Sequence, residues 1–273
     1  MTSFANLSDV SKTAISSHHP IEDLSRDRYP AHVAVIMDGN GRWAQRQGLP
    51  RVEGHRRGVT SVRKTVEECA RLKIRQLTLY CLSSENWKRP QNELDFLMHL
   101  LEQYMIEERE TIMKHNVRVQ IIGRRDGIPV QVQREMDKTI ELSADNTGTT
   151  LCLAINYGGR AEMVDAVRCI SQEVAEGHLS SDEITEETIA QHLYTRGMPD
   201  PDLLIRTAGE MRISNFLLWQ ISYSELWVTP LCWPEFREET LRDAIYNFAS
   251  RDRRFGGLSV TEPSGVDACS SGD

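Results

Sequence analysis

The sequence predicts an α/β fold: a single domain with a mainly parallel central sheet of about six strands, flanked by helices. Short runs rich in apolar and β-branched residues alternate with longer segments along residues 29–257. Those longer segments can hold crossover helices, which parallel strands need as connections. The 273 residues are 40% hydrophobic and 26% charged, which is ordinary for a globular protein that buries a substantial core.

The predicted strands follow one another at intervals that leave room for helices. They comprise residues 32–37, 76–82, 117–122, 151–155, 202–205 and, as a sixth, 225–228. Residues 1–28 and 258–273 are polar and rich in serine, so we expect them to form mobile tails around a folded domain of residues 29–257.

One predicted helix carries apolar residues at three- and four-residue spacing. These residues are Leu94, Leu97, Met98, Leu101, Tyr104 and Met105. Spacing alone favours a stripe that faces the core. The alternative is one wall of an apolar tunnel, and the sequence leaves both interpretations open.

Composition excludes several classes of protein. A net charge of −8 argues against a general nucleic-acid binder. Seven basic residues against one acid between positions 42 and 64 indicate a basic pocket for a small polyanion. The six cysteines form no C-x-x-C pair, which argues against zinc or disulfide roles. Because no run approaches the roughly 18 apolar residues of a membrane span and no signal peptide is evident, we expect a cytoplasmic location.

The first predicted strand ends in residues 38–42, with the sequence Asp-Gly-Asn-Gly-Arg. Glycines let backbone N–H groups approach an anion, and a helix N-terminus favours negative charge, so this turn predicts a phosphate site. Asp38 would repel a phosphate. A divalent cation between the two is therefore expected.

Polar clusters follow three further strands, at 83–90, 156–160 and 206–214. In open α/β sheets, ligands bind beyond the carboxyl ends of the strands. Each cluster alone is compatible with turn chemistry, but together they predict a polar rim around a ligand site. Arg206, Arg212 and Ser214 form a second candidate anion site, with a salt bridge between Arg212 and Glu210 as the alternative.

Three other residues near these loops are further candidates for the ligand site. His55 follows Arg51 at helical spacing beside the glycine turn; a lone histidine is more often structural, and the cationic groups near this anion site make a role at the site the alternative. Trp43 and Trp87 come directly after the first two polar loops. They are either core residues or walls for an apolar substrate tail.

Three competing phosphate-binding classes are disfavoured. Gly39-x-Gly41-x-x-Ala44 fits the dinucleotide fingerprint, but the expected acid about 20 residues on is missing, since position 58 is glycine. No P-loop motif occurs. An aspartyl phosphotransferase would need a second aspartate at position 40, where this chain has Asn40.

Several longer stretches match one family in the right order. They are HVAVIMDGNGRWAQRQGLPRVEGHRRG, LYCLSSENWKRP, NYGGRAE, PDLLIRTAGEMRISNFLLWQ, SELWVTP and RDRRFGG. The chain thus resembles the cis-prenyltransferases, the undecaprenyl diphosphate synthase family, over about residues 29–257. Ala208 and Met211 stand where bacterial relatives often have Ser and Gln, and neither change alters a charged ligand.

This resemblance implies a Mg²⁺-dependent enzyme with an apolar tunnel, working as a homodimer. It would condense isopentenyl diphosphate with an allylic diphosphate such as farnesyl diphosphate, forming cis double bonds in a long-chain polyprenyl diphosphate. Asp38 would coordinate Mg²⁺, and Glu225 matches the second metal-associated carboxylate. No nucleic acid is implied, and membrane contact would be peripheral at most, for product release.

The resemblance also implies roles for the residues of the polar loops. The allylic diphosphate would lie on Gly39, Asn40, Gly41 and Arg42, with Arg51 and His55 nearby, and Trp43 is a further candidate substrate-binding residue. Isopentenyl diphosphate would be held by Arg206, Arg212 and Ser214, and Ile213 is a further candidate substrate-binding residue. A mobile loop with Ser83, Ser84, Glu85, Asn86, Trp87 and Arg89 would close the site, with Asn86 as a candidate catalytic residue that orients a diphosphate oxygen or water during removal of the C2 proton.

Two related classes are distinguished by motifs. Trans-prenyltransferases use D-D-x-x-D pairs, and this chain has none. Non-catalytic accessory relatives have lost the catalytic aspartate and arginines, whereas Asp38, Arg206, Arg212 and Arg254 are kept here. The Arg254-Phe255-Gly256 segment would reach the partner's site in a homodimer.

Overall fold

A six-stranded, wholly parallel sheet forms the centre of the molecule in a computed structural model that describes Ile21 and residues 24–251. The strands are β1 (His32–Ile36), β2 (Gln76–Ser83), β3 (Arg118–Ile122), β4 (Thr150–Tyr157), β5 (Leu203–Arg206) and β6 (Glu225–Val228). Their spatial order is β3-β4-β2-β1-β5-β6. Every adjacent pair is parallel, which confirms the predicted architecture and all six strands.

Eight α-helices connect and cover the strands within the described residues. They are α1 (Asn40–Arg46), α2 (Arg51–Arg71), α3 (Gln91–Glu107), α4 (Arg109–Lys114), α5 (Val130–Leu142), α6 (Gly159–Ala175), α7 (Glu186–His192) and α8 (Glu238–Ala249). Short 3₁₀ helices add Arg26–Arg28, Ser84–Lys88, Ser181–Glu183 and Trp233–Glu235.

The sheet separates two hydrophobic clusters, because successive side chains of a strand point to opposite faces. On one face, residues such as Val33, Leu77 and Leu153 pack with apolar residues of α2, α3, α5 and α8. On the other, Ala34 and Tyr80 pack with a smaller group that includes residues 213–221. The larger cluster therefore lies beneath the helices that also border the ligand site.

Part of the segment predicted as an N-terminal tail packs onto the domain. Ile21 is 1% exposed and belongs to the larger cluster. Arg26 donates to the carbonyl of Leu72 at 2.6 Å, and Arg28 donates to that of Ala249. The folded region thus extends N-terminal to position 29, since these contacts fasten it, while residues 1–20, 22–23 and 252–273 lie outside the described part of the chain.

The strand register brings the polar loops to one edge of the sheet. Ile36 pairs with both Tyr80 and Arg206, so the ends of β1, β2 and β5 lie side by side. The loops after these strands therefore meet, as the parallel topology predicts.

Two further expectations are tested by the fold. Within the described residues no helix is both long and apolar enough to cross a bilayer. All five cysteines described are free thiols, and Cys69, Cys152 and Cys232 are buried.

Candidate functional site

A cavity of about 870 Å³ opens at the carboxyl edge of the sheet. Its polar part is lined by the loops after β1, β2 and β5, and its apolar part lies between α2 and α3. Val59 and Val62 of α2 face Leu97, Met98, Leu101 and Tyr104 of α3. Four of the six residues in the predicted apolar stripe therefore line the cavity, while Leu94 and Met105 are buried in the core.

Hydrogen bonds to the backbone of Asp38 hold this residue in place. Its N–H donates to Thr207 Oγ1 at 2.8 Å, and the Thr207 hydroxyl donates back to the Asp38 carbonyl at 2.7 Å. Trp233 N–H donates to the same carbonyl at 2.9 Å. These bonds from the β5 loop and a distant 3₁₀ helix set the position of the acid, and Thr207 is a positioning residue that sequence reasoning missed.

The Asp38 carboxylate lies between two guanidinium groups. Arg206 Nη2 is 2.9 Å from Oδ2 and Arg42 Nη2 is 3.1 Å from Oδ1. Burial raises the pKa of Asp38, but the hydrogen bonds from Arg206 and Arg42 outweigh burial and hold that pKa below its ordinary value. Asp38 is therefore ionised at neutral pH, as a metal ligand must be.

The glycines of the first loop are required by geometry. Gly39 has φ +93°, and a Cβ on it would lie 2.8 Å from Ala208 Cβ. A Cβ on Gly41 would lie 2.8 Å from the guanidinium carbon of Arg51. Small residues here let the turn pack against the β5 loop and against the Arg51 side chain at the start of α2, which supports the predicted anion site.

The β5 loop folds around Arg206, whose side chain is 6% exposed. Nη1 donates to Ser214 Oγ at 2.8 Å and to the carbonyl of Arg212. Ala208, Ser214, Asn215 and Leu217 all adopt positive φ, between +48° and +68°. This left-handed backbone curls residues 206–217 toward Asp38, so the two predicted anion sites share a border.

Glu210 links these two sites by charge. It pairs with Arg212 at 2.5 Å, the alternative weighed from sequence, and also with Arg42 at 3.1 Å. Arg212 nevertheless lines the cavity, as does Glu210 itself. The second contact, to Arg42, could not be inferred from spacing because 168 residues separate the two.

A buried carboxylate, Glu93, organises the other side of the cavity. Arg89 lies 3.0 Å from Glu93 Oε1, Arg51 3.6 Å from Oε2, and His55 Nε2 3.7 Å from Oε1. Burial, together with Arg89 and Arg51, lowers the pKa of His55 to about 4, although Glu93 opposes that shift. His55 is therefore neutral at pH 7. Glu93 was not singled out from sequence, although an acid next to the apolar stripe was an available signal.

The loop after β2 forms the 3₁₀ helix Ser84–Lys88. Ser83 N–H donates to Asn86 Oδ1 at 3.1 Å, and Glu85 accepts from Asn215 Nδ2 at 2.8 Å. Trp87 turns away from the cavity, with its indole N–H donating to Asn156 Oδ1 at 2.6 Å. This loop is therefore tied to the β5 loop through Glu85, while the half-buried Trp87 packs against the larger hydrophobic cluster.

Three buried polar atoms of the site have no hydrogen-bond partner among the described residues: Asn40 Oδ1, His55 Nε2 and Arg206 Nε. Buried polar groups are normally satisfied, and exceptions concentrate at functional sites. Asn40 is part of the glycine turn, and Arg206 pairs with the Asp38 carboxylate. The arrangement is that of a site built for a polar ligand.

Asp38 can bind a divalent cation as a single carboxylate ligand, without a cluster of other protein carboxylates around it. Within the described residues no group of three His, Cys, Asp or Glu side chains is arranged to hold a metal. Mg²⁺ is commonly bound by one or two carboxylates plus substrate phosphates, which matches a single ionised acid beside an anion site. Glu225 does not join it: Glu225 begins β6 level with Val33, roughly 16 Å from the Asp38 end of the sheet.

The comparisons with known proteins agree over most of the chain. Residues 36–256 match the family model described as putative undecaprenyl diphosphate synthase. The chain is 59% identical to the isoprenyl transferase of Rhodopirellula baltica over 231 residues, covering 85% of this chain and 95% of that protein. It is 48% identical to the isoprenyl transferase of Heliobacterium mobile, covering 91% and 96%. The chain belongs to the undecaprenyl diphosphate synthase family.

Solved structures of this family share the fold. Lavandulyl diphosphate synthase from Lavandula x intermedia, in complex with dimethylallyl diphosphate, superposes with a TM-score of 0.83 at 38% identity, covering 85% of this chain and 100% of that one. A probable undecaprenyl diphosphate synthase from Campylobacter jejuni gives 0.69 at 33% identity, covering 84% and 99%. The family resemblance stated from motifs is thus confirmed, and the chain is an isoprenyl transferase by family.

Most predicted site residues of this isoprenyl transferase line one cavity. They are Asp38, Gly39, Asn40, Gly41, Arg42, Arg51, His55, Ser83, Glu85, Asn86, Arg89, Arg206, Arg212 and Ser214. Five predicted residues are not among the residues that line it: Trp43, Ser84, Trp87, Ile213 and Glu225. Ile213 packs against the smaller cluster, and Glu225 pairs with Arg251 at 2.5 Å. The Arg254-Phe255-Gly256 segment lies outside the described residues.

Proposed function

We propose that this family member condenses isopentenyl diphosphate with an allylic diphosphate, such as farnesyl diphosphate, and forms a cis double bond at each addition. The observation that carries this proposal is the Asp38 carboxylate between Arg206 and Arg42 at the mouth of an apolar cavity. Such a mouth suits a diphosphate head, and such a cavity suits a hydrocarbon tail. The dimethylallyl diphosphate bound in the lavandulyl diphosphate synthase structure is an allylic diphosphate, which supports this substrate class.

The two diphosphates would occupy neighbouring sites on either side of Asp38. Gly39, Gly41 and Arg42 would hold the allylic diphosphate through backbone N–H groups and one guanidinium. Arg206, Arg212 and Ser214 would hold isopentenyl diphosphate. Because Arg206 reaches Asp38 at 2.9 Å, the C1 carbon of one substrate would approach the double bond of the other at this border.

Asp38 would hold Mg²⁺ together with diphosphate oxygens, and the bound ion would stabilise the charge that develops as the allylic diphosphate departs. The chain's own residues then orient the reactants. Asn86 accepts from Ser83 N–H, and its Nδ2 has no partner among the described residues, so it can donate to a diphosphate oxygen. Neutral His55 would lie beside the allylic diphosphate as a hydrogen-bond donor.

The apolar part of the cavity would accept the growing chain. A volume of about 870 Å³ lies near the upper end of the roughly 300–1,000 Å³ typical of small-molecule sites, and it supports a product longer than the primer. We propose that α2 and α3 form the tunnel walls, with Tyr104 at the buried end of the stripe. The product would be a long-chain polyprenyl diphosphate of the lipid-carrier type.

We also propose a homodimer in the cytoplasm, with membrane contact limited to product release. Glu225 is too far from Asp38 to act on the same ion within one chain, so its predicted metal role requires a second copy. The free thiols support a reducing compartment. Sedimentation velocity of the full chain tests the dimer, and a monomer at micromolar concentration would contradict it.

The decisive experiment is incubation with labelled isopentenyl diphosphate, farnesyl diphosphate and Mg²⁺, followed by chain-length analysis. We expect polyprenyl products several units longer than farnesyl, with cis geometry in each added unit by NMR. Asp38→Ala in the same assay should lose nearly all turnover while keeping its circular dichroism spectrum. Absence of any elongated product with farnesyl, geranyl or dimethylallyl diphosphate would contradict the proposal and favour an accessory role.

A further inference from the structure

A second cavity lies at the amino edge of the sheet, opposite the candidate site. Its volume is about 360 Å³. It is lined by the first residues of three adjacent strands, Gln76, Arg118 and Thr150, and by the turns that precede or flank them. Gln76 and Arg118 both pair in register with Thr150, so the three residues form a row across the sheet.

The lining of this cavity is polar and carries positive charge. Arg75 and Arg118 contribute two guanidinium groups, and none of the described lining residues is acidic. Neither arginine forms an ion pair within the described part of the chain, although Arg118 donates to the carbonyl of Ala144 at 2.6 Å. Gln120 follows on the same strand face as Arg118, which adds a carboxamide to the wall.

Gln76 supplies the independent observation. Its side chain lines the cavity, the residue is only 3% exposed, and Nε2 has no hydrogen-bond partner among the described residues. A buried amide without a partner is destabilising, so proteins seldom keep one unless something else satisfies it. Nε2 itself is shielded in this side-chain orientation, so an acceptor inside the cavity would satisfy it once the carboxamide turns toward the cavity.

We propose that this cavity binds a small molecule through an oxyanion group, a phosphate or a carboxylate. Guanidinium groups bind both kinds of oxyanion with charge-assisted hydrogen bonds, and the Gln76 amide and Thr150 hydroxyl add neutral donors. The volume exceeds that of the oxyanion alone and leaves room for a small organic body. The site is separate from the isoprenyl transferase machinery, since it lies at the other end of the strands.

Solution NMR on the full chain tests the proposal at the proposed site itself. The side-chain amide resonance of Gln76, assigned by its loss in Gln76→Met, is followed while sodium phosphate or sodium acetate is added at constant ionic strength. We expect a saturable shift with at least one of the two anions, and the two titrations distinguish a phosphate from a carboxylate site. Anion binding near Asp38 does not interfere, because the readout is specific to Gln76.

Variants separate specific binding from a general salt effect. The double substitution Arg75→Gln/Arg118→Gln should raise the fitted dissociation constant at least about tenfold, because it removes two charge-assisted contacts. Arg168→Gln, at an arginine that is 72% exposed on α6, should leave it unchanged. A shift of the Gln76 resonance that stays linear with both anions, as expected for a cavity that holds water only, would overturn the proposal. Equal dissociation constants for the double variant and wild type would overturn it as well.

Discussion

Replacing Asp38 by asparagine should tighten the binding of metal-free pyrophosphate while abolishing the effect of Mg²⁺ on that binding. The Asp38 carboxylate neutralises Arg206 and Arg42 at 2.9 and 3.1 Å. An asparagine would keep the shape of the side chain but remove its charge from beside both guanidinium groups, which leaves Arg206 without a carboxylate partner among the described residues and Arg42 with Glu210 alone. The substitution would also remove a negative charge that repels the diphosphate.

The size of the effect follows from simple electrostatics. A diphosphate on the far side of the arginines lies roughly 8 Å from the Asp38 carboxylate, where two unit charges repel by about 2 kcal/mol at an effective dielectric constant of about 20. Relief of that repulsion predicts binding at least about tenfold tighter in the variant. Loss of a preorganised charged group at the reacting centre should at the same time lower turnover by about 10²–10³-fold.

Isothermal titration calorimetry with inorganic pyrophosphate, in EDTA and in Mg²⁺, measures both effects. Asp165→Asn is a matched control, because Asp165 also pairs with an arginine, Arg124 at 2.7 Å, but does not line the cavity. Its binding should equal that of wild type in both buffers. Pyrophosphate binding by Asp38→Asn no tighter than that of wild type in EDTA would refute the electrostatic account, and so would an affinity that Mg²⁺ still improves.

Three further outcomes follow from the structure. Arg206→Ala should raise the KM for isopentenyl diphosphate far more than that for the allylic substrate in steady-state assays, and equal effects on both would refute two separate sites. Leu101→Trp should shorten the products seen by chain-length analysis, whereas Leu142→Trp, at an exposed position, should not. Burial lowers the pKa of His32 to about 4, although contacts with Pro199 and Asp202 oppose that shift. Between pH 6.5 and 4 the unfolded state therefore binds a proton that the folded state does not, and the free energy of unfolding falls as the pH drops through that window. Urea unfolding should show His32→Gln losing about 1.4 kcal/mol less per pH unit there than wild type, and parallel pH profiles would contradict this.

Much of the fold and site followed from the sequence because parallel strands impose it. Buried runs between helical segments predicted all six strands, and the rule that ligands bind at their carboxyl ends placed the Asp38 and Arg206 loops together. Most residues named from the family motifs then proved to line the cavity. These predictions needed only local patterns and one topological rule.

The remaining features depend on distances that local patterns do not encode. Glu93 meets Arg51 and His55 only because α2 and α3 pack side by side, and Thr207 meets Asp38 across 169 residues. Trp87 was an open choice between core and cavity wall, and the bond to Asn156 decided for the core. The motif match for Glu225 predicted a role in metal binding but not where the residue lies. Glu225 begins a strand of the parallel sheet, whereas Asp38 follows the end of another strand, so the two residues lie at opposite edges of the sheet.

The left-handed backbone of the β5 loop has a consequence for engineering this protein. A non-glycine residue at positive φ can cost on the order of 1–3 kcal/mol, so Ser214, Asn215 and Leu217 mark a place where the domain has stability to regain. Glycine at position 215 would relieve that strain, but it would remove the carboxamide that joins Glu85 and the Arg160 N–H. Selection for heat resistance should therefore loosen the link between two substrate-facing loops before it strengthens the core, and thermostable variants altered here should be slower catalysts.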